Sequence, residues 1–220
     1  MLQTPIWITN FKNEEAAIGS RALELAKIHE KVAKETGAQI GVAVSPVDLY
    51  RISQEVSIPV FAQHVDAIDY GKHSGFILPQ AVKKAGAVGT LLNHSEHRTD
   101  PEILKNTVSC AQKASLIRIV CAENPEEVEQ YAEFDPDMLA FEPPELIGST
   151  TASVATDNPK SIAESVKVSR GIPVLVGAGI NSKEDVRVSL DLGAQGFLVA
   201  TAIVKAPDPE QALRDFVSAF

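Results

Sequence analysis

The sequence predicts an α/β fold in which eight parallel strands close into a (β/α)8 barrel. Short runs rich in Val, Ile and Leu alternate with longer segments of helical periodicity, eight of each along 220 residues. Nearly all the short runs are apolar throughout, as expected for strands buried on both faces. Regular alternation of this kind requires right-handed crossovers between parallel strands. Because a typical barrel has about 250 residues, this one is slightly shortened.

The strands are predicted where a short apolar run is bounded by Gly, Pro or polar turn residues. They are residues 5–9, 39–44, 59–62, 89–92, 117–121, 138–141, 173–176 and 196–199.

The helices are predicted from apolar residues that recur at three- and four-residue spacing, with Pro near several starts and Gly after several ends. Gly37 supplies the stop of the first helix, in which this spacing is followed by Ile18, Ala22, Leu25, Ile28 and Val32. The predicted helices are residues 14–36, 46–56, 79–85, 101–114, 125–133, 159–170, 182–192 and 209–220.

The count of units decides between a closed and an open sheet. An open doubly wound sheet is the alternative, but it usually has five or six strands and reverses direction once. Similar Gly-Ala turns lead into the fourth and eighth strands, at residues 85–89 and 192–196, which fits a barrel of like units. Since no linker or low-complexity segment interrupts the pattern, residues 1–220 are expected to form a single barrel domain.

Composition excludes several classes of partner. The formal net charge is −9 without a basic run, which argues against nucleic acid or an anionic membrane. The amino terminus lacks a signal segment and no apolar run approaches about 18 residues, so no membrane span is expected. Cys110 and Cys121 fit no metal or redox spacing. Both are predicted to be buried free thiols in a reducing, cytoplasmic setting.

The candidate functional residues all follow predicted strands. In a barrel the carboxyl ends of the strands surround one mouth. These residues are Asn10, Lys12, His94, Glu142, the turn 177–179, and Ala200 with Thr201. Each has an ordinary structural explanation when taken alone; Glu142, for example, is followed by two prolines and could be a solvated acid on a stiff turn. Their shared position at strand ends favours a site.

The chemistry of these groups is complementary. Backbone N–H groups after strands seven and eight predict a phosphate site. Glu142 is a competent base for a proton beside a carbonyl group. His94, where a short helical turn could begin, is expected to be neutral and to donate to a developing oxyanion, with Lys12 adding positive charge. The set predicts proton transfer through an enediolate on a small phosphorylated carbonyl compound, with no metal or redox cofactor.

Five stretches carry a resemblance to a known family: residues 10–12 (Asn-Phe-Lys), 61–64 (Phe-Ala-Gln-His), 86–96 (ending Asn-His-Ser-Glu), 141–148 (Phe-Glu-Pro-Pro-Glu-Leu-Ile-Gly) and 177–180 (Gly-Ala-Gly-Ile). With them the chain resembles the triosephosphate isomerase family, in particular its compact archaeal branch. Asn-His-Ser-Glu and the stretch at 141–148 are the specific signals, whereas Asn-x-Lys alone is weak.

The resemblance implies a TIM barrel that interconverts dihydroxyacetone phosphate and D-glyceraldehyde 3-phosphate, a step of glycolysis and gluconeogenesis. It implies that Glu142 is the proton acceptor, His94 the electrophile and Lys12 the electrostatic partner, with Asn10 fixing the lysine. The remaining residues with implied roles are Phe11 on the substrate-contacting first loop, Ile147 and Gly148 on a lid, Gly179, Ala200 and Thr201 as backbone donors to phosphate, and Glu96 orienting Lys12.

The resemblance also implies self-association. The loop at residues 71–75 is similar to one that reaches into a neighbouring subunit, so a homo-oligomer is expected. The archaeal branch suggests a tetramer, and a dimer remains possible.

The chain departs from the family pattern in three places. Thr150 stands at the rear hinge of the lid, where the family has Gly, and a threonine cannot adopt glycine-only backbone angles. Ala200-Thr201-Ala202 stands where the family favours small Gly or Ser residues, and residues 151–158 lack the lysines of relatives. Two alternatives stay open: another phosphate-binding barrel, such as an epimerase or synthase, and a non-catalytic barrel that binds phosphorylated metabolites. Only one plausible base is present, which counts against the first.

Overall fold

The structure, a computed structural model, describes residues 2–146 and 153–220. Its eight strands form a closed barrel in chain order, with every neighbouring pair parallel and the last strand paired with the first. The predicted fold class is therefore confirmed.

The strands agree with the predicted runs to within a residue at each end. They are β1 (Ile6–Asn10), β2 (Gln39–Val44), β3 (Val60–Ala62), β4 (Gly89–Leu92), β5 (Ile117–Ala122), β6 (Met138–Phe141), β7 (Val174–Val176) and β8 (Gly196–Val199). Strands β3 and β7 begin one residue after Pro59 and Pro173, because proline has no N–H to donate to a ladder.

Ten α-helices are described, rather than the eight predicted. They are α1 (Ser20–Thr36), α2 (Pro46–Glu55), α3 (Pro79–Lys84), α4 (Pro101–Lys113), α5 (Pro125–Ala132), α6 (Val154–Asp157), α7 (Pro159–Val168), α8 (Lys183–Asp191), α9 (Thr201–Val204) and α10 (Pro209–Val217). The two unpredicted helices, α6 and α9, have four residues each, too few to show a helical period.

The predicted helix 14–36 was wrong at its start. Residues Glu15–Ala17 form a separate 3-10 turn, and Gly19 then adopts φ 64° before α1 begins at Ser20. The backbone N–H of Gly19 donates to Asp48 Oδ2 at 2.9 Å, so the break ties the first loop to α2.

The core has two parts. Alternate strand residues fill the barrel interior, and a larger layer lies between the strands and the surrounding helices. The interior set is Ile6, Ile8, Ala43, Phe61, Leu91, Ile119, Cys121, Met138, Ala140, Leu175 and Leu198. Because this interior is packed with side chains, the open mouth of the barrel lies beyond it, at the ends of the strands.

Both cysteines are free thiols, but only Cys121 is buried. Cys110 is partly exposed on α4, so the prediction of two buried thiols was wrong for that residue. None of the helices within the described residues is long and apolar enough to cross a membrane.

Candidate active site

A cavity of about 320 Å³ opens at the carboxyl ends of the strands. It brings together Asn10, Lys12, His94 and Glu142, which lie up to 132 residues apart in sequence. Its other walls are the turns after β7 and β8, lined by Gly177, Ala178, Gly179, Ile180, Asn181, Leu198, Val199, Ala200, Thr201, Ala202, Lys205, Ala206 and Pro207.

Glu142 directly follows β6 and is held there by its backbone N–H, which donates to the Ala122 carbonyl at 2.8 Å. The residue is 3% exposed, and this burial raises the pKa of the carboxyl above its ordinary value, although His94 and a hydrogen bond from Cys121 oppose the shift. Glu142 Oε2 has no hydrogen-bond partner among the described residues. A buried carboxylate that is short of donors is a basic one.

Gly177 leaves the space that the side chain of Glu142 occupies. A Cβ on Gly177 would lie 2.4 Å from Glu142 Cγ and 2.8 Å from Oε1, closer than real contacts allow. Gly177 does not have a positive φ, so space and not backbone freedom explains the glycine.

His94 faces Glu142 across the cavity, with Nε2 3.6 Å from Glu142 Oε1. On its other side, Nδ1 accepts a hydrogen bond from the backbone N–H of Glu96 at 3.2 Å. A nitrogen that accepts carries no proton, so the ring in this arrangement is neutral with its proton on Nε2. The expected helical turn after His94 is a non-helical hydrogen-bonded turn, and this single N–H fixes the tautomer.

Lys12 is held from several sides. Its Nζ lies 2.8 Å from Glu96 Oε1, and its backbone N–H donates to Asn10 Oδ1 at 3.0 Å. Gln63 Nε2 donates to the Lys12 carbonyl at 2.9 Å and to Asn10 Oδ1 at 3.3 Å. Lys12 adopts φ 50°, which is unusual for a long side chain and is maintained by these contacts. Gln63 lies in the stretch 61–64 that carries the family resemblance, and its contact with Lys12 was not predicted from sequence.

Phe11 is placed differently from the other residues of the first loop. Its ring is fully buried and packs against His29, with ring centroids 5.6 Å apart. It is not among the residues that line the cavity. Its side chain therefore supports the loop from the core.

The opposite end of the cavity is lined by backbone and by one cation. Gly179 adopts φ 65°, and α9 begins at Thr201 with Ala200 as its N-cap residue. Lys205, at the end of α9, also lines this end, and its Nζ lies 2.8 Å from Glu14 Oε1. Sequence reasoning missed Lys205, because the short helix that carries it was not predicted.

Two residues of the expected lid, Ile147 and Gly148, lie outside the described residues, as does the hinge residue Thr150. Within the described ranges, no group of three or more His, Cys, Asp or Glu side chains could hold a metal ion.

The fold and the site together define a class. One end of the barrel mouth holds a buried carboxylate, a neutral imidazole and a paired lysine, and the other end holds backbone turns and a further lysine. This arrangement is typical of enzymes that perform acid–base chemistry on small anionic substrates.

Comparisons with known proteins identify the family within that class. The family model for triosephosphate isomerase matches residues 5–219. The triosephosphate isomerase of Methanobacterium bryantii is 45% identical over 220 residues, with 98% of this chain and 97% of that protein covered. The enzyme of the same name from Methanocaldococcus jannaschii is 43% identical over 214 residues, with 96% and 97% covered. The chain belongs to the triosephosphate isomerase family and is an isomerase.

A solved structure supports the fold independently. The crystal structure of triosephosphate isomerase from Bartonella henselae matches with a TM-score of 0.73 at 20% identity, covering 98% of this chain and 97% of that one.

Proposed function

We propose that the cavity interconverts dihydroxyacetone phosphate and D-glyceraldehyde 3-phosphate by proton transfer through an enediolate. The observation that carries the proposal is the 3.6 Å approach of Glu142 Oε1 to His94 Nε2 inside one cavity. The substrate carries a C–H group next to its carbonyl group. In this cavity Glu142 can contact the proton while His94 contacts the carbonyl oxygen.

The phosphate group occupies the end of the cavity formed by residues 177–181 and 199–202. Backbone N–H groups there, including those of Gly179, Ala200 and Thr201, donate to its oxygens. Lys205 adds a positive charge at the rim of the same end. This placement directs the carbonyl end of the substrate toward Glu142 and His94.

The reaction then proceeds by balanced proton transfers. Glu142 removes a proton from the hydroxymethyl carbon of dihydroxyacetone phosphate, and the electron pair forms a carbon–carbon double bond as the carbonyl oxygen becomes negative. His94 donates its Nε2 proton toward that oxygen, and the Lys12 ammonium stabilises the charge. Glu142 returns its proton to the neighbouring carbon while the hydroxyl proton is redistributed through the imidazole, which yields the aldehyde. The raised carboxyl pKa favours the first step, because it makes the Glu142 carboxylate a stronger base for the carbon-bound proton.

The groups around the site have supporting roles. Glu96 pairs with Lys12 through its carboxylate and fixes the His94 tautomer through its backbone N–H. Asn10 orients the backbone of Lys12. A lid at Ile147 and Gly148, closing over the phosphate to exclude water, stays a prediction.

We also propose that the protein is a homo-oligomer. Large apolar side chains are exposed in segments after β1, β2 and β3: Ile18, Val47, Tyr50, Tyr70 and Phe76, with Val47 90% exposed. Monomers rarely expose many such residues in one region, and a second copy of this chain is the proposed cover. A tetramer is the state that the archaeal resemblance suggests. Light scattering should give a multiple of 23.6 kDa for the wild type and a smaller mass for Val47→Glu, with Val47→Thr as the matched control. A monomeric wild type would reject this part.

A cytoplasmic location and a single domain over residues 1–220 complete the proposal. Two free thiols, one of them buried, suit a reducing compartment.

A coupled assay with D-glyceraldehyde 3-phosphate tests the reaction. The wild type should turn over, and Glu142→Gln should lose at least about 1,000-fold in kcat because the base is gone. Glu133→Gln, which removes an exposed acid that pairs with Arg170 at the end of α5, serves as the control and should match the wild type. Absence of turnover in the wild type, or full activity in Glu142→Gln, would reject the proposal.

A further inference from the structure

A buried carboxylate that the reaction does not use lies behind the anion end of the cavity. Asp185, in the first turn of α8, is 3% exposed. It is not among the residues that line the cavity. Its contacts nevertheless reach the cavity wall through the chain immediately before α8.

One oxygen of Asp185 holds the end of the turn after β7. Oδ2 accepts from the backbone N–H of Asn181 at 3.0 Å, and from the backbone N–H and the hydroxyl of Ser182, each at 2.8 Å. Asn181, Ile180 and Gly179 all line the cavity. The direction of the N–H groups in this turn therefore depends on where Asp185 anchors its far end.

The other oxygen holds a separate segment of the chain. Oδ1 accepts the hydroxyl of Ser153 at 2.5 Å. Ser153 is itself 6% exposed and fixed as the N-cap residue of α6: its Oγ accepts from Ala155 N at 3.1 Å, and its backbone N–H donates to Asp157 at 3.1 Å. One side chain thus joins the turn after β7 to the N-cap residue of α6.

The four described donors to this carboxylate are neutral groups. A buried charge held by dipoles alone is stable only while every donor keeps its place, because each loss leaves the charge under-solvated. The arrangement is therefore rigid. A helix cap needs only the contacts with Ser182; the bonds to Asn181 and Ser153 go beyond capping.

From this geometry we infer that Asp185 is a positioning residue that pre-aligns the phosphate-binding turn 177–181, with Ser153 as its second anchor. The inference rests on the proposed function, in which the phosphate group of the substrate occupies this end of the cavity. Asp185 touches neither substrate nor reacting atoms, and acts through the backbone of Asn181. It contributes to the recognition of a phosphodianion and not to proton transfer.

Asp185→Asn removes one of the two acceptor oxygens of this side chain. Asparagine keeps one acceptor oxygen, and its amide nitrogen can only donate. Whichever way the amide turns, either Ser153 or the pair Asn181 and Ser182 loses its acceptor. The turn should shift while β7 and Glu142 stay in place.

The readout compares a phosphorylated with an unphosphorylated substrate. In Asp185→Asn, kcat/KM for D-glyceraldehyde 3-phosphate should fall about tenfold, mainly through KM, since misplacement by a fraction of an ångström loses part of the binding energy. Exchange of the α-proton of glyceraldehyde, which has no phosphate, should stay within twofold of the wild type. Ser153→Ala should act in the same direction, and Ser153→Thr, which keeps the hydroxyl, should restore the wild-type ratio.

A capping carboxylate elsewhere supplies the control. Asp100 caps α4 by accepting from Glu102 N at 2.9 Å and does not line the cavity. Asp100→Asn should leave the ratio between the two substrates unchanged. A purely structural role for Asp185 predicts equal losses for both substrates, and that result, like no loss at all, would overturn the inference.

Binding of inorganic phosphate decides the inference independently of turnover. Calorimetry should show about tenfold weaker phosphate binding to Asp185→Asn, or to Ser153→Ala if the first variant does not fold. Equal affinity in variant and wild type overturns the inference. Loss of isomerisation in the wild type would instead overturn the proposed function alone.

Discussion

Gly177→Ala tests whether the position of Glu142 in the structure is the one that the reaction needs. The new Cβ would lie 2.4 Å from Glu142 Cγ, whereas ordinary contacts begin near 3.4 Å. The carboxylate must therefore retreat by about 1 Å, and misplacement of a reacting group by that distance costs about 100-fold in rate. Because Gly177 does not have a positive φ, the substitution adds no left-handed backbone strain.

The assay is the kinetics of isomerisation in both directions. We expect kcat to fall about 100-fold with KM changed by less than about threefold, because the added methyl group at the start of the phosphate-binding turn 177–181 crowds Glu142 and not the backbone donor at Gly179. A double-mutant cycle with Glu142→Ala supplies the control. Overpacking against the carboxylate should cost about 1–3 kcal/mol of unfolding free energy in the wild-type background and little once Cγ is gone.

Two results would refute this reasoning. One is a kcat within twofold of wild type in Gly177→Ala, which would mean that Glu142 acts from somewhere other than its place in the structure. The other is a cycle without coupling, which would mean that the two residues are not in contact.

Three further predictions concern charge. Burial lowers the pKa of His29 from 6.5 to about 4, so the contribution of the neutral ring to stability is complete above pH 6.5 and is lost as pH falls toward 4. In denaturant titrations the free energy of unfolding of the wild type should fall by about 3 kcal/mol over this range. An equal fall in His29→Gln would contradict the assignment. Burial raises the pKa of Glu142 above its ordinary value of 4.5, which is the opposite sign, so the wild type should gain stability relative to Glu142→Gln as pH falls through that raised pKa toward 4.5. A constant difference between the two proteins would exclude a raised pKa. Lys205→Gln should raise KM about threefold with kcat unchanged, and the increase in KM should vanish at high salt. Glu14→Gln, which frees Lys205 from its ion pair, should not raise KM. A fall in kcat for Lys205→Gln would show a role other than binding the anion.

The basis of the His29 prediction is a chain of buried hydrogen bonds with only one possible proton arrangement. Trp7 Nε1 donates to Thr9 Oγ1 at 3.0 Å, Thr9 lies 2.7 Å from His29 Nε2, and His29 Nδ1 lies 2.7 Å from the Leu25 carbonyl. Tryptophan can only donate and a carbonyl can only accept, so the hydroxyl donates to Nε2 and Nδ1 carries the ring proton. A second proton on His29 would therefore reverse the bond to Thr9 in β1 and leave the Thr9 hydroxyl proton without the acceptor that it has in this arrangement.

The barrel could be predicted from sequence because its elements follow local rules. Strands buried on both faces form continuous apolar runs. Several helices begin with a proline, because the N–H that proline lacks would have no intrahelical acceptor at that position. These prolines are Pro46, Pro101, Pro125 and Pro209. The same rules failed at Gly19, where a long-range bond to Asp48 interrupts an otherwise continuous helical pattern. They also failed for α6 and α9, which are too short to have a period.

The candidate site could be located from sequence but not assembled from it. Position at strand ends was enough to single out Lys12, His94 and Glu142, since a barrel gathers those ends at one mouth. No local pattern could show that Gly177 makes room for Glu142, that Gln63 holds Lys12, or that Lys205 reaches the cavity from α9. Each of these depends on distances between segments that only the closed barrel fixes.

Some residues at the mouth depart from the most favourable local arrangement. Lys12 and Asn93 adopt φ 50° and 59°, and Glu142 is buried with one oxygen unpartnered among the described residues. Strain of this kind persists only where the surroundings impose it, and here they do so from both sides: Gln63 and Asn10 hold Lys12, while Asn93 donates to the Cys121 carbonyl at 3.1 Å and accepts from Thr99 N at 3.0 Å. Relaxing these residues would stabilise the chain and at the same time separate the carboxylate, imidazole and ammonium. The contacts that impose this strain at the mouth of the barrel therefore hold the three groups facing one another before any substrate binds.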